Sequence, residues 1–240
     1  MPVPSTARPS GDVVSTRSPR SAGAAKPDKY DLILRAATHV FARRGFFNAQ
    51  VADVARDAGV AAGTVYLYFR SKDDLLASIF ERWMDEGISE GRAALEGLTD
   101  PVARLREIAR RHLDRLGRDR DTAVVFQVEL RQSTKHMERF SASQLREYLG
   151  IIRGVIVEGQ KTGAFRQDVN PTLAAKVFFG ALDEMATNWM LSRRRYSLAA
   201  EADAIVDLLV GGMAQPPAAP RRRARSSPNP ESRIPNPGSP

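Results

Sequence analysis

The amino-acid sequence predicts an all-α protein, and three observations support that fold class. Apolar residues recur at spacings of three and four over most of residues 28–213, which is the spacing of one helix face. No segment shows the strict apolar–polar alternation that is typical of a half-buried strand. Prolines lie mostly in the two end segments, and the two internal ones, Pro101 and Pro171, each follow a good helix-capping residue.

Composition excludes several classes of protein. With 42% hydrophobic residues, the 240-residue chain can bury a core. The absence of cysteine excludes disulfides, thiolate zinc sites and cysteine nucleophiles. No apolar run approaches the roughly 20 residues of a membrane span, and the N-terminal stretch carries prolines and charges where a signal peptide needs apolar residues. We therefore expect a cytoplasmic protein that does not associate with a membrane.

The net charge of +8 is concentrated at the two ends of the chain. Residues 1–26 contribute +3 and residues 214–240 contribute +4, and both segments are rich in proline. Such segments bury too little apolar surface to fold, so both are predicted to be disordered tails. The arginine run at 221–225 either adds nonspecific DNA affinity or is simply solvated.

The first three helices are predicted at residues 30–44, 51–58 and 62–69. Gly45 closes the first helix, and Gly59 supplies a tight turn between the second and the third. Helix, glycine-containing turn and helix form a helix-turn-helix. A long fourth helix at 72–95, capped by Ser71, links this unit to the rest of the chain.

Helical spacing continues through the C-terminal part of the chain. The segment at 171–192 has a wider apolar stripe than a surface helix needs, so it lines a pocket or packs against a second subunit. Further helices are predicted at 101–117, 121–133, 137–161, 171–192 and 198–212.

A helix-turn-helix inserts its second helix into the major groove of DNA, with the N-terminal residues nearest the bases. Here those residues are small: Ala62 and Gly63 permit close approach, and Thr64 offers a hydroxyl. The hydroxyls of Tyr66 and Tyr68 are predicted to reach flanking phosphates, with a charge contact from Lys72.

Core packing is the alternative interpretation of this aromatic cluster. We favour it for Phe69, which has no polar tip and is expected to pack the third helix onto helices one and four. Residues 27–72 carry seven Lys or Arg against four Asp, a balance that suits a nucleic-acid surface.

The run VADVARDAGVAAGTVYLYFRSKDDLL at residues 51–76 resembles the DNA-binding signature of the TetR family of bacterial repressors. The resemblance implies a homodimer on a palindromic double-stranded DNA operator, with DNA contacts from Thr64, Tyr66, Tyr68 and Lys72 and base-edge proximity for Ala62 and Gly63. The implied organisation is a tail at 1–26, a helix-turn-helix DNA-binding domain at 27–72, a helical ligand-binding and dimerisation domain at 73–213, and a basic, proline-rich tail at 214–240.

The sequence departs from the family pattern at the start of the second helix. The family has Ser or Thr as the cap, whereas this chain has Ala49 followed by Gln50. Capping and the phosphate contact there are expected to fall to Asn48 or Gln50.

The stretches FQVELRQS at 126–133 and FFGALDEMATNWMLSRRRYSL at 178–198 resemble the FadR-type subgroup, whose members control fatty-acid degradation and leave DNA when they bind a long-chain acyl-CoA. An acyl chain needs a long apolar cavity, and coenzyme A needs cations at its mouth. The cation candidates are Arg131, with Arg106, Lys135 and Arg139. The apolar candidates are Phe126, Leu130, Phe178, Leu182, Met185 and Trp189.

Alternative interpretations stay open for these residues. Arg131 can instead form an internal ion pair with Glu129, Asp183 or Glu184, and the apolar residues can be ordinary core. A drug-like or aromatic effector, as in regulators of efflux, is the second possibility for the ligand. The dimer face is expected on the last two helices, around Val177–Trp189 and Ile205–Leu209, packed as a four-helix bundle with the partner.

A small helical enzyme is the distant alternative. The three histidines, His39, His112 and His136, form no HExxH arrangement, and the chain has neither a glycine-rich phosphate loop nor a G-x-S-x-G motif. Asp183 and Glu184 are adjacent on a helix and point about 100° apart, so they do not form a carboxylate pair. We expect no catalytic residue, no metal and no cofactor, and one small-molecule effector.

Overall fold

A computed structural model describes residues 28–132, 135–136, 138 and 143–213. The predicted tails at 1–26 and 214–240, the start of the predicted helix at 137–161, and Arg139 lie outside the described residues. In the described residues the regular structure is entirely helical, as predicted. None of the helices there is both long and apolar enough to cross a membrane.

The helices lie close to their predicted positions. We number them in chain order: α1 (Lys29–Arg44), α2 (Val51–Asp57), α3 (Ala62–Tyr68), α4 (Lys72–Leu95), α5 (Pro101–Arg118), α6 (Arg120–Gln127), α7 (Gln144–Lys161), α8 (Pro171–Leu191) and α9 (Ala202–Met213).

Two segments predicted as single helices are each part α-helix and part 3₁₀ turn. The segment predicted at 121–133 is α6 followed by a 3₁₀ turn at Glu129–Gln132, and the segment predicted at 198–212 begins with a 3₁₀ turn at Leu198–Glu201. Short 3₁₀ turns are common at helix ends because they tighten the last or first turn. Val128 is the C-cap of α6, and the next residue, Glu129, accepts a hydrogen bond from the Phe46 N–H in the loop between α1 and α2.

Caps explain where several helices begin. The side chain of Ser71 accepts a hydrogen bond from the Asp74 N–H at the start of α4. Asp100 and Asn170 cap α5 and α8 in the same way, each with a proline at the first helical position. These side chains satisfy donors that a helix start leaves free, and proline needs no such partner.

The first hydrophobic core extends beyond the helix-turn-helix. It joins α1, α2, α3 and the first two-thirds of α4, and it also includes Val125, Phe126 and Leu130 from α6 and the following turn. The division at residue 72 therefore falls inside continuous packing, along an unbroken α4. A second core joins α5, α7, α8 and α9, and Trp83 of α4 packs against both cores.

Gly159 of α7 lies against the ring of Phe165, which is fully buried. A Cβ atom added at Gly159 would overlap this ring, so the close approach of the α7–α8 connection to α7 requires glycine. Nearby Gly154, on the same helix, is exposed and has no atom within 4 Å of an added Cβ.

We predict that Gly159→Ala lowers the free energy of unfolding by about 1–3 kcal/mol, because the methyl group overpacks the core. Gly154→Ala is the matched control; it should be neutral or stabilising, by up to about 1 kcal/mol, through helix propensity. Denaturant unfolding at equal protein concentration measures both values. Equal stability of the two variants would contradict the close packing.

Candidate nucleic-acid interface and ligand cavity

The recognition helix α3 is anchored by one face. Val65 and Phe69 are buried, and Phe69 stacks on Tyr30 of α1 with ring centroids 5.0 Å apart. Phe69 thus packs the helix onto α1, as predicted. The opposite face carries Ala62 and Gly63, which are exposed, and an added Cβ at Gly63 meets no atom within 4 Å.

The two tyrosines of α3 are exposed. Tyr66 is 57% exposed, and Tyr68 is 41% exposed with its ring edge towards Tyr30 at 6.4 Å. Thr64 is half-buried between these two faces. The core interpretation of Tyr66 and Tyr68 therefore does not describe their surroundings, and both hydroxyls are available to a partner.

Leu67 is a feature that the sequence reasoning missed. It is the most exposed large apolar side chain among the described residues, at 83%, and it shares the outer face of α3 with Gly63 and Tyr66. The sequence did contain a signal for its exposure: two residues after Val65 on a helix, Leu67 lies on the side opposite that buried residue. An apolar group at this position can contact a thymine methyl in the major groove.

Gln50 occupies the cap position of α2, and Asn48 does not. The Gln50 N–H donates to the Asp53 carboxylate at 3.2 Å, while the Asn48 side chain donates to the carbonyl of Arg44. The Gln50 N–H holds the pKa of Asp53 below its usual value, and the adjacent Arg44 and Arg56 act in the same direction. Gln50 is exposed at the start of α2.

Lys72 has a structural role that was not predicted. Its Nζ donates to the carbonyls of Phe47 and Ala49, both at 3.0 Å, and lies 4.6 Å from the centre of the Phe46 ring. The ammonium therefore ties the start of α4 to the loop between α1 and α2. A DNA contact from Lys72 stays a prediction and would use its remaining N–H.

An apolar cavity of about 40 Å³ lies between α4, α5 and α7. Two glycines one turn apart on α4, Gly87 and Gly91, form part of its wall. The guanidinium of Arg115 covers Gly87, whereas an added Cβ at Gly91 meets no atom within 4 Å. The other lining residues are Trp83, Met84, Ile88, Leu95, Glu107, Ile108, Arg111, His112, Arg115, Tyr148 and Ile151.

The polar side chains of this cavity are mostly paired with one another. Arg115 donates to the Trp83 carbonyl at 2.7 Å and to Glu90 at 3.1 Å, and Arg111 pairs with Glu107 at 2.6 Å. Burial lowers the pKa of His112 to about 4 and raises the pKa of Tyr148. Both groups are therefore neutral near pH 7.

The six apolar residues predicted to bind a ligand do not line this cavity. Phe126 and Leu130 belong to the first core, and Leu130 borders a separate cleft near Arg70. The other four pack in or against the second core: Phe178, Leu182, Met185 and Trp189. Phe126 packs against the cavity wall, because its ring centre is 4.6 Å from that of Trp83, which lines the cavity.

Three of the four cations predicted for a ligand headgroup lie in the described residues, and each is close to a carboxylate of the protein. Arg131 pairs with Asp183 at 2.6 Å and donates to the Phe126 carbonyl, which is the internal arrangement weighed as its alternative. Arg106 pairs with Asp207, and Lys135 lies 3.7 Å from Asp73. Near the cavity, Arg92 bridges α4 to Glu147 of α7 at 2.7 Å.

A buried carboxylate joins the two halves of the molecule. Glu129, at the end of α6, accepts a hydrogen bond from the Phe46 N–H at 2.6 Å and another from Gln132 at 3.3 Å. Its oxygens lie 3.8–3.9 Å from a Cβ added at Gly45, whose φ of +75° favours glycine. The loop that leads into α2 is thus held by a residue of the C-terminal part.

A second polar contact lies close to Glu129. His136 is buried and hydrogen-bonds Asp73 at 2.8 Å, which holds the pKa of that carboxyl below its usual value, and its ring meets Phe46 edge-on. Among the described residues, no group of three or more His, Asp or Glu is arranged to hold a metal ion.

An exposed recognition helix braced by a three-helix unit, on a larger helical body, defines a helix-turn-helix DNA-binding regulator. Family comparisons agree: residues 33–79 match bacterial regulatory proteins of the tetR family, and residues 80–212 match the C-terminal region of YsiA-like proteins. The chain belongs to the TetR family of transcriptional regulators.

Individual relatives are similar over most of the chain. A fatty acid metabolism regulator protein of Bacillus subtilis is 34% identical over 188 residues, 78% of this chain and 97% of the relative. The fatty acid degradation regulator FadR of Bacillus halodurans has a similar structure, with a TM-score of 0.74, 37% identity, and coverage of 79% of this chain and 98% of the other. FadR of B. subtilis in complex with stearoyl-CoA gives a TM-score of 0.73, 34% identity and coverage of 76% and 98%.

We predict that Tyr66→Phe weakens operator binding roughly tenfold, because a hydrogen bond to a charged phosphate is lost while the ring stays. Tyr196→Phe, at another exposed tyrosine far along the chain, is the matched control and should bind like the wild type. Fluorescence anisotropy at fixed salt measures both affinities. Unchanged affinity for Tyr66→Phe would remove its hydroxyl from the DNA contacts.

Proposed function

We propose that this protein is a homodimeric repressor of fatty-acid metabolism genes that leaves a palindromic operator when it binds a long-chain acyl-CoA. The observation that carries the proposal is the apolar cavity against α4, because α4 runs unbroken from the end of the helix-turn-helix at Lys72 to the wall of this cavity. Similarity to regulators of fatty-acid metabolism, one of them bound to stearoyl-CoA, supports the choice of effector.

The proposed DNA surface is the outer face of α3 with the start of α2. Ala62, Gly63 and Thr64 approach the base edges, and Leu67 adds an apolar contact. Gln50, Tyr66 and Tyr68 reach phosphates on either side of the groove. Lys72 acts mainly by fixing the loop before α2, through its bonds to two carbonyls.

The proposed dimer face is formed by α8 and α9. Leu173 and Val177 of α8 and Leu208 of α9 are 50–80% exposed, although each is a large apolar side chain. Packing the two helices against their symmetry mates would bury this surface in a four-helix bundle. A dimer brings two recognition helices to two half-sites, and a palindromic operator follows from that symmetry.

The effector enters the α4–α5–α7 cavity in this proposal. The cavity of about 40 Å³ is far smaller than the roughly 300–1,000 Å³ of typical ligand pockets, so binding must move its walls. Trp83 lines the cavity and packs on Phe126. Phe126 lies three residues before Glu129, and its carbonyl accepts a hydrogen bond from Arg131. Displacement of Trp83 would therefore reach the Glu129–Phe46 bond through α6.

Charge favours an acyl effector over a cationic drug. Glu107 is the carboxylate among the described lining residues, and it is paired with Arg111 at 2.6 Å. The lining carries two arginines, Arg111 and Arg115, against this one carboxylate, so its charge balance suits an anionic headgroup better than a cationic ligand. Coenzyme A phosphates could also compete with Glu147 for Arg92 near the cavity.

The proposal also covers the domain limits and the cellular compartment of the protein. The DNA-binding domain takes residues 27–72 and the effector and dimer domain takes residues 73–213, with α4 shared as the connecting helix. A bacterial regulator acts on the chromosome, so the cytoplasm is its working compartment. The repressor needs no cofactor, and the acyl-CoA is its effector.

The proposal predicts that stearoyl-CoA releases the purified protein from DNA upstream of its own gene, whereas stearate and coenzyme A alone do not. Full release requires roughly 5 kcal/mol of preference for the form that does not bind DNA. Fluorescence anisotropy at fixed salt measures the release. Specific DNA binding without release by stearoyl-CoA would refute the effector.

Filling the cavity should separate operator binding from release by stearoyl-CoA. Gly91→Leu should occupy the open space beside Gly91, so the variant should bind the operator as the wild type does but resist stearoyl-CoA at least tenfold. Gly150→Leu, an exposed glycine with equal free space on α7, is the matched control and should be released normally. Normal release of Gly91→Leu would exclude this cavity as the effector site.

A further inference from the structure

His112 is a polar side chain enclosed by aromatic rings in the wall of the cavity. Its ring stacks on Tyr148 with centroids 5.7 Å apart and meets Trp83 and Phe179 edge-on at 6.1 and 5.9 Å. The Nδ1 atom lies 3.2 Å from the Tyr148 hydroxyl. The Nε2 atom is buried and has no hydrogen-bond partner in the described part of the chain.

The pairing with Tyr148 decides which nitrogen carries the proton. Burial keeps the imidazole neutral, with a pKa of about 4, and keeps Tyr148 a phenol by raising its pKa. A phenol is a better donor than acceptor, so its O–H donates to Nδ1. The ring proton then lies on Nε2, which becomes a buried donor without an acceptor.

A buried donor without a partner costs free energy, and a ligand acceptor removes that cost. The two arginines in the wall do not present the same opportunity: Arg111 is paired with Glu107, and Arg115 donates to Trp83 and Glu90. The Arg115 Nε also lacks a partner, but the guanidinium packs flat over Gly87, 3.3–3.4 Å from an added Cβ.

A fatty acyl chain offers hydrogen-bond acceptors only at its carboxyl end. We propose that His112 is the polar anchor of the effector site, where its Nε2–H donates to the carbonyl oxygen of the acyl thioester while Tyr148 holds the imidazole in the required tautomer. This inference rests on the proposed acyl-CoA function and deepens it. His112 then fixes where the headgroup ends and the buried chain begins, and it discriminates against CoA thioethers, which lack the carbonyl.

The test compares stearoyl-CoA with its thioether analogue, S-octadecyl-CoA, in which a methylene replaces the carbonyl. Wild-type protein should bind the thioester roughly tenfold more tightly, which is the effect expected of one buried hydrogen bond. His112→Phe keeps an aromatic ring and removes the donor, so it should bind both ligands equally. Isothermal titration calorimetry measures the four affinities.

A second variant and a spectroscopic readout address the tautomer. Tyr148→Phe should reduce the preference for the thioester without abolishing it, because the imidazole proton is then shared between the two nitrogens. With a ¹³C-labelled carbonyl in stearoyl-CoA, the bound C=O stretch should move to higher frequency in His112→Phe than in the wild type. The control is Tyr196→Phe, which should keep the wild-type preference and band position.

The possible outcomes distinguish failure of the His112 anchor from failure of the proposed acyl-CoA function. Equal wild-type affinity for the two ligands, or an unchanged preference in folded His112→Phe, would overturn the anchor while acyl-CoA binding itself stands. The wild-type comparison alone decides the matter if His112→Phe does not fold. Failure of both ligands to bind would overturn the anchor together with the proposed effector.

Discussion

The hydrophobic core shared by α1, α4 and α6 is the constraint on which the rest of this structure depends. It contains Phe41 of α1, Phe80 of α4 and Phe126 of α6, so the helix-turn-helix packs against the larger domain as well as against itself. Glu129 adds a polar fastening to the same junction, because its carboxylate accepts the Phe46 N–H and both groups are buried. Breaking this contact would leave the buried Phe46 N–H without its acceptor and remove one of the two hydrogen bonds to the Glu129 carboxylate, which is costly.

In the proposed mechanism, the shared core connects the effector cavity with the DNA-binding surface. Packed interiors shift between discrete arrangements and do not deform freely, so an enlarged cavity beside Trp83 must be accommodated by the neighbours of Trp83. Those neighbours include Phe126 of α6, whose ring packs on Trp83, and Arg115 of α5, whose guanidinium lies over the Trp83 ring. The effector shifts the population of conformations only as far as it binds one of them more tightly.

The helix-turn-helix could be predicted from the sequence because its signals are local. Gly45 and Gly59 adopt positive φ angles at the ends of α1 and α2, and Ser71 caps α4, so spacing and caps alone gave nearly all the helix limits. Tyr66 was predicted to be exposed because its hydroxyl needs a polar partner. Leu67 was missed because apolar residues are normally assigned to a core.

The cavity could not be predicted in the same way. Phe178 and Leu182 lie on an apolar stripe of α8, but whether a stripe meets a cavity or a neighbouring helix depends on tertiary packing that periodicity does not contain. Arg131 was a candidate for a ligand headgroup until the fold brought Asp183 within 2.6 Å, over 52 residues of sequence. The residues that do line the cavity include two glycines, which carry no chemical signal of their own.

The most direct test of the account is the distance between the two recognition domains of the dimer. The sequence contains no cysteine, so Ala52→Cys on the exposed side of α2 accepts one spin label per subunit. Double electron–electron resonance should give a distance distribution that shifts when stearoyl-CoA is added and does not shift with coenzyme A alone. An unchanged distribution at saturating, bound stearoyl-CoA would contradict the claim that the cavity controls the position of the DNA-binding surface.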